Sequence, residues 1–107
     1  MPNPLTNNDL EQLAEHAQEA ALLLKQLSNQ HRLMILCSLI DGELSVTELN
    51  SRTNLSQSAL SQHLASLRNA GLVQTRRESQ TIFYQLQGNE AIQVIRVLKS
   101  IYCPYYL

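Results

Sequence analysis

Ser56, Gln57, Ser58, Ser61 and Gln62 are side chains that both donate and accept hydrogen bonds, and they crowd into one short stretch of this chain. Wound at about 100° per residue, Gln57, Ser58, Ser61 and Gln62 share one side of a helix with Ala65, Arg68 and Asn69, while Ala59, Leu60, His63, Leu64, Leu67 and Ala70 share the other. A face that only meets water ordinarily carries Lys and Glu. This one offers hydroxyls and amides first, and a cation, Arg68, only near its end. Gln and Ser can match the donor and acceptor pattern of base edges and Arg suits a phosphate, so the chemistry on offer is recognition of double-stranded DNA. Ser56 is a good N-cap and Gly71 a good residue just past a C-terminus, so both ends of the helix are written locally.

The elements around this helix must present it. Ser45-Val46-Thr47-Glu48 fits the S/T-x-x-E capping box and predicts a short helix from Val46 to about Arg52. Thr53-Asn54 makes the turn into the next helix, which completes a helix-turn-helix whose second member enters the major groove. The period then changes from helical to alternating. Residues 72–77 and 81–86 are β-rich runs around Glu78-Ser79-Gln80, a hairpin placed to flank the groove as a wing, with Arg76, Arg77 and Gln80 near the DNA backbone or minor groove.

The remaining chain supplies the support. Residues 1–8 hold two prolines and three asparagines and read as a flexible N-terminal arm. From Asp9 an apolar stripe runs to Leu27 as one long amphipathic helix, broken at Ser28-Asn29. A second helix covers Gln30 to Ile40 and stops at Asp41-Gly42. Gly88-Asn89 caps a last apolar helix, which Pro104 ends just after Cys103. The expected fold is mostly α with a β-hairpin wing, in the order ααααββα. Residues 9–107 then form a single winged helix-turn-helix DNA-binding and dimerisation domain.

Composition narrows the function classes. The net charge of the 107 residues is −1, which excludes binding nucleic acid through bulk basicity. The charge is polarised: residues 1–27 sum to −3 and residues 56–81 to +2. No run approaches the ~18 apolar residues of a membrane span and no signal-peptide pattern opens the chain, so a cytoplasmic protein is expected. Two cysteines in that compartment are reduced at rest, and a bond between them would be a regulated event. There is no C-x-x-C, no Gly-rich phosphate loop and no Ser/His/Asp order to suggest an enzyme. No cofactor is implied.

Ser45 to Leu49, Leu55 to Leu64, Leu67-Arg68, Gly71 to Val73 and Thr81 to Tyr84 together resemble the ArsR/SmtB family of winged-helix repressors, in both motif words and order. The resemblance spans about residues 20 to 103. It implies a homodimer built on the first and last helices, which sets two reading helices into successive major grooves of an operator, roughly 34 Å apart.

Metal-sensing members of that family carry ligands this chain lacks. Ser45 and Thr47 stand where a cysteine pair would be, residues 89–103 contain neither Asp nor His, and His16, His31 and His63 share no i, i+4 spacing. No metal site is expected. Leu36-Cys37-Ser38-Leu39 and Ile101-Tyr102-Cys103-Pro104 instead resemble a dithiol branch of the family that responds to reactive sulfur species or oxidants. That resemblance implies that a disulfide or polysulfide bridge between Cys37 and Cys103 switches operator affinity. The dipole at a helix C-terminus raises a thiolate's pKa, which points to Cys37 rather than Cys103 as first nucleophile. An anti-repressor, or a constitutive DNA binder without redox input, is the alternative, and a metal-sensing repressor is the weaker one.

Overall fold

The computed structural model describes residues 4–103. Thr6 opens α1 (Asn7–Glu15) with a reciprocal box: its hydroxyl accepts from the Asp9 N–H, and the Asp9 carboxylate accepts from the Thr6 N–H, each at 3.0 Å. Those two bonds hold the Asp9 carboxyl below its ordinary pKa. Helix therefore begins at Asn7, inside the stretch expected to be an arm.

The single long helix expected over residues 9–27 is two. α1 stops at His16, whose N–H bonds the Leu13 carbonyl three residues back, and α2 (Ala17–Leu27) starts afresh. The tightened turn interrupts the helix without any Gly or Pro to announce it, and the apolar stripe continues on both sides, so periodicity alone concealed the break. α1 buries no residue, whereas α2 buries Leu27.

Asn29 caps α3 (Gln30–Ser38) by accepting from the Arg32 N–H at 3.0 Å, and Leu39 closes it two residues before the expected end. The box at Ser45 forms as the sequence predicts. Ser45 Oγ accepts from the Glu48 N–H at 3.1 Å and Glu48 Oε1 accepts from the Ser45 N–H at 2.9 Å, which starts α4 (Val46–Thr53). Asn54, left-handed at φ 55°, turns the chain. α5 (Gln57–Asn69) follows, capped by Ser56 Oγ on the Ala59 N–H at 3.1 Å. Gly71 at φ +76° ends it: the Gly71 N–H bonds the Arg68 carbonyl and the Leu72 N–H the Leu67 carbonyl, the paired bonds of a Schellman motif.

The wing has one strand more than expected. β1 (Leu44–Ser45), too short to show a period, pairs antiparallel with β3 (Thr81–Leu86), which pairs in turn with β2 (Val73–Glu78), so the order is β1-β3-β2. The hairpin loop is only Ser79-Gln80, because Glu78 pairs with Thr81, and Ser79 takes φ 58°. In α6 (Glu90–Tyr102) the Asn89 side chain makes no cap bond; the Glu90 carboxylate accepts from the Asn89 N–H instead, at 3.0 Å. The stop expected from Pro104 lies outside the described residues.

Every element except α1 feeds one apolar cluster. Leu60, Leu64 and Leu67 of α5 meet Ile35 and Leu36 of α3, Leu49 of α4, Val73 of β2 and Ile95 of α6 there. The result is a winged helix-turn-helix in which α5 is pinned by three leucines on one face.

Leu64→Ala should lower unfolding free energy by roughly 2–5 kcal/mol, the range for emptying a packed leucine site. Ser45→Ala should cost about 1 kcal/mol by removing one half of the α4 box. Urea unfolding followed by circular dichroism measures both.

Candidate nucleic-acid interface

All nine residues assigned to DNA from the sequence are exposed: Ser56, Gln57, Ser58, Ser61, Gln62 and Arg68 on α5 or its cap, Arg76 and Arg77 on β2, and Gln80 in the hairpin loop. The core explains the α5 set. Burial of Leu60, Leu64 and Leu67 fixes the rotation of the helix about its axis, and the polar side chains are what that rotation leaves outside.

Two further sets of contacts join α5 to α2 and α2 to α3. Ser66, on the boundary between its faces, donates to Gln26 Oε1 of α2 at 3.0 Å. Arg32 of α3 ties down the end of α2, its Nε donating to the Gln26 carbonyl at 3.0 Å and its Nη2 to the Lys25 carbonyl at 3.1 Å. Cations near a helix C-terminus are favoured by its dipole, so Arg32 is both a cap and a clamp. The sequence carried no sign of Gln26 or Arg32, because both act across a helix junction rather than along one helix.

Two of the three histidines meet in space. His31 on α3 and His63 on α5 lie with ring centroids 5.7 Å apart, tilted at 37°. Partial burial, then the neighbouring Arg32 charge and then His31 hold the His63 imidazole below its ordinary pKa. Thirty-two positions separate the pair in the chain, so no spacing rule could have joined them. Among the described residues, no group of three or more His, Cys, Asp or Glu is placed to hold a metal ion.

The two wing arginines stand differently. Arg76 donates to Glu43 through Nε and Nη2, and to Glu78 through Nη1, while its guanidinium lies 4.6 Å from the centroid of the Phe83 ring. These bonds raise the Arg76 pKa further above its ordinary value and hold Glu43 below its own. No hydrogen bond or ion pair engages the Arg77 side chain among the described residues.

Cys37 of α3 and Cys103 at the end of α6 are both free thiols. They line one groove of about 470 Å³ between those helices, walled mainly by apolar side chains such as Leu33, Ile40 and Leu98, with Lys99 and Asp41 also lining it. Burial raises the Cys37 pKa, and the charge of Cys103 raises it further. Cys103 is exposed. The order of reactivity suggested by the helix dipole is thereby opposed: burial in the groove suppresses the Cys37 thiolate.

A capped helix-turn-helix, a polar reading face turned to solvent and a three-stranded wing beside it together define a winged helix-turn-helix DNA-binding domain. The model of the bacterial regulatory protein, arsR family, matches residues 23–75. The transcriptional activator HlyU of Vibrio cholerae serotype O1 is 53% identical over 95 residues, which cover 89% of this chain and 88% of that one. A solved structure of reduced HlyU from V. cholerae N16961 superposes with a TM-score of 0.80 at 53% identity, covering 87% of this chain and 98% of the other. The transcriptional repressor BigR from Xylella fastidiosa superposes with a TM-score of 0.83 at 43% identity, covering 92% and 98%. The chain therefore belongs to the ArsR family of bacterial regulatory proteins, and it is a DNA-binding transcriptional regulator rather than an enzyme. Among the described residues, no helix is long and apolar enough to cross a membrane.

The depressed His63 pKa predicts a pH dependence of stability. The unfolded chain binds a proton on this imidazole near its ordinary value of 6.5, whereas the folded chain binds it only at lower pH. Stability should thus fall as pH drops below about 6.5 and level off beneath the folded pKa. Thermal unfolding across that window should show the decline in the wild type and a shallower one in His63→Gln.

Proposed function

We propose that this regulator is a homodimeric repressor acting in the cytoplasm, whose operator affinity is switched by reactive sulfur species or oxidants through Cys37 and Cys103. The observation that carries the proposal is the shared groove: two thiols from helices far apart in sequence line one mainly apolar channel between α3 and α6. One relative, BigR, is described as a repressor, and another, HlyU, was solved in a form described as reduced.

At the DNA, Gln57, Ser58, Ser61 and Gln62 read base edges, and Ser56 and Arg68 hold the backbone at the two ends of the helix. Arg77 and Gln80 approach the backbone or minor groove from the wing, with Arg76 next to Arg77 in the strand but on the opposite face of the sheet. Dimerisation would double the phosphate contacts of a chain whose net charge is −1. Exposed apolar side chains support it: Leu10, Leu13, Leu22 and Leu24 on the first helices and Val97, Ile101 and Tyr102 on the last are all more than half exposed, more apolar surface than a small monomer ordinarily shows.

The switch runs in two steps. The exposed Cys103 thiolate attacks the outer sulfur of a hydropersulfide, forming a Cys103 persulfide and expelling the donor's thiolate. The Cys37 thiolate then attacks the Cys103 sulfur, releases hydrosulfide and closes a disulfide. The dithiol is oxidised by two electrons and the persulfide is reduced to thiol and sulfide, so no other oxidant is needed. Bridging ties α3 to α6, and because α3 packs beneath α5, the two reading helices of the dimer move relative to each other.

A coupling of about 1–3 kcal/mol gives a loss of operator affinity of roughly 5–150-fold. Titration of operator DNA with reduced and persulfide-treated protein should show that loss, and Cys37→Ser and Cys103→Ser should not respond. Equal affinities for reduced and treated wild type would sink the switch and leave DNA binding standing. Alkylation by iodoacetamide, read by mass spectrometry, should modify Cys103 before Cys37. In the reading helix, Gln62→Ala should cost about 1–3 kcal/mol on the cognate operator and much less on random DNA.

A further inference from the structure

Adjacent arginines on a strand face opposite ways. Alternation along β2 puts Arg76 with Gln74 and Glu78 on one face of the sheet, and Arg77 with Val73 and Thr75 on the other. Val73 is fully buried in the core that α5 also enters, so the face it occupies is the one turned toward the helix pair. Arg77 shares that face but lies beyond the core, exposed near the hairpin tip. Arg76 is on the outer face.

The surroundings of Arg76 use up what a phosphate would need. Its Nε donates to Glu43 Oε2 at 3.1 Å and its Nη2 to Glu43 Oε1, a bidentate fork; Nη1 donates to Glu78 Oε2 at 2.9 Å. One face of the guanidinium lies over Phe83, its cross-strand partner. One guanidinium among two carboxylates leaves the cluster a formal −1, which repels phosphate rather than attracting it.

Glu43 stands two residues before Ser45, the residue that both caps α4 and pairs with Phe83 in the sheet. The bond from Arg76 to Glu43, across 33 positions of sequence, thus joins the outer strand of the wing to the point where the helix-turn-helix begins. The third strand that anchors the hairpin there is only two residues long. A two-stranded ribbon twists readily, and a fork at this position limits the twist.

We propose that Arg76 is a positioning residue and not a phosphate ligand: latched to Glu43 and Glu78 on the outer face of the sheet, it sets the pitch of the wing against the helix pair, and Arg77 supplies the wing's phosphate contact. The proposal rests on the reading that the wing meets DNA.

The test is operator affinity of the full chain between about 50 and about 200 mM salt, where each phosphate contact contributes roughly 0.9 to the slope of log K against log salt. Arg77→Met should flatten that slope by about one contact. Arg76→Met should leave the slope unchanged and weaken binding about fivefold throughout, the scale of one well-formed surface pair. Glu43→Gln should weaken binding in the same way, even though it removes a negative charge. The reversed pair, Glu43→Arg with Arg76→Glu, should recover most of the affinity.

A flattened slope in Arg76→Met, or tighter binding by Glu43→Gln, overturns the proposal, because each marks an arginine that reaches phosphate once the carboxylate lets go. Failure of the reversed pair to recover affinity also counts against the latch. An unchanged slope in Arg77→Met overturns the assignment of that contact, whereas unchanged slope and unchanged affinity in both Arg76→Met and Arg77→Met overturn the underlying reading that the wing meets DNA.

Discussion

Along one side of α5, Leu60, Leu64 and Leu67 are withdrawn almost wholly from water into the single apolar cluster that the other elements share. A helix with three buried leucines at i, i+4 and i+7 has little rotational freedom, because turning it by one residue would expose one of them and insert a serine or glutamine among leucines. The display of Ser56, Gln57, Ser58, Ser61 and Gln62 to solvent is the other side of that constraint. Caps at Ser56 and Gly71 set its length, and the Ser66–Gln26 bond sets its register against α2. The functional face is thus held by groups that do not belong to it.

α3 occupies the position from which such a face could be governed. Ile35 and Leu36 place it in the same cluster as the α5 leucines, Arg32 at its start clamps the end of α2, and Cys37 near its end opens into the groove shared with α6. A covalent event at Cys37 would act on a helix already in contact with both α5 and α2. Close-packed interiors transmit such displacements, because neighbouring side chains have no slack to absorb them.

Electrostatics here works by placement rather than by quantity. A chain with net charge −1 has no general attraction for DNA, so the position of each cation matters more than their number. Arg32 is committed to backbone carbonyls and Arg76 to carboxylates, whereas no such bond engages Arg68 or Arg77 among the described residues. Counting arginines in the sequence would have credited all four equally.

The capping box at Ser45, the polar and apolar faces of α5, the Gly71 stop and the alternation of the hairpin were legible because each depends on neighbours within about four residues, where chain geometry alone decides which side chains meet. The split at His16, the two-residue β1 and the missing side-chain cap at Asn89 were not, since none of them leaves a periodic trace. The exposed polar face of α5 could be named from the sequence. The contacts between elements could not: the Ser66–Gln26 tie, the His31–His63 contact, the Arg76–Glu43 pair and the groove shared by Cys37 and Cys103 each bring together residues more than 30 positions apart. Such pairs come together only when the apolar cluster packs the helices and the sheet against one another. The sequence by itself therefore determined which polar side chains share the exposed face of α5, because that needs only helical geometry, and the tertiary structure decided which arginines are committed to other groups, because that needs the packed fold.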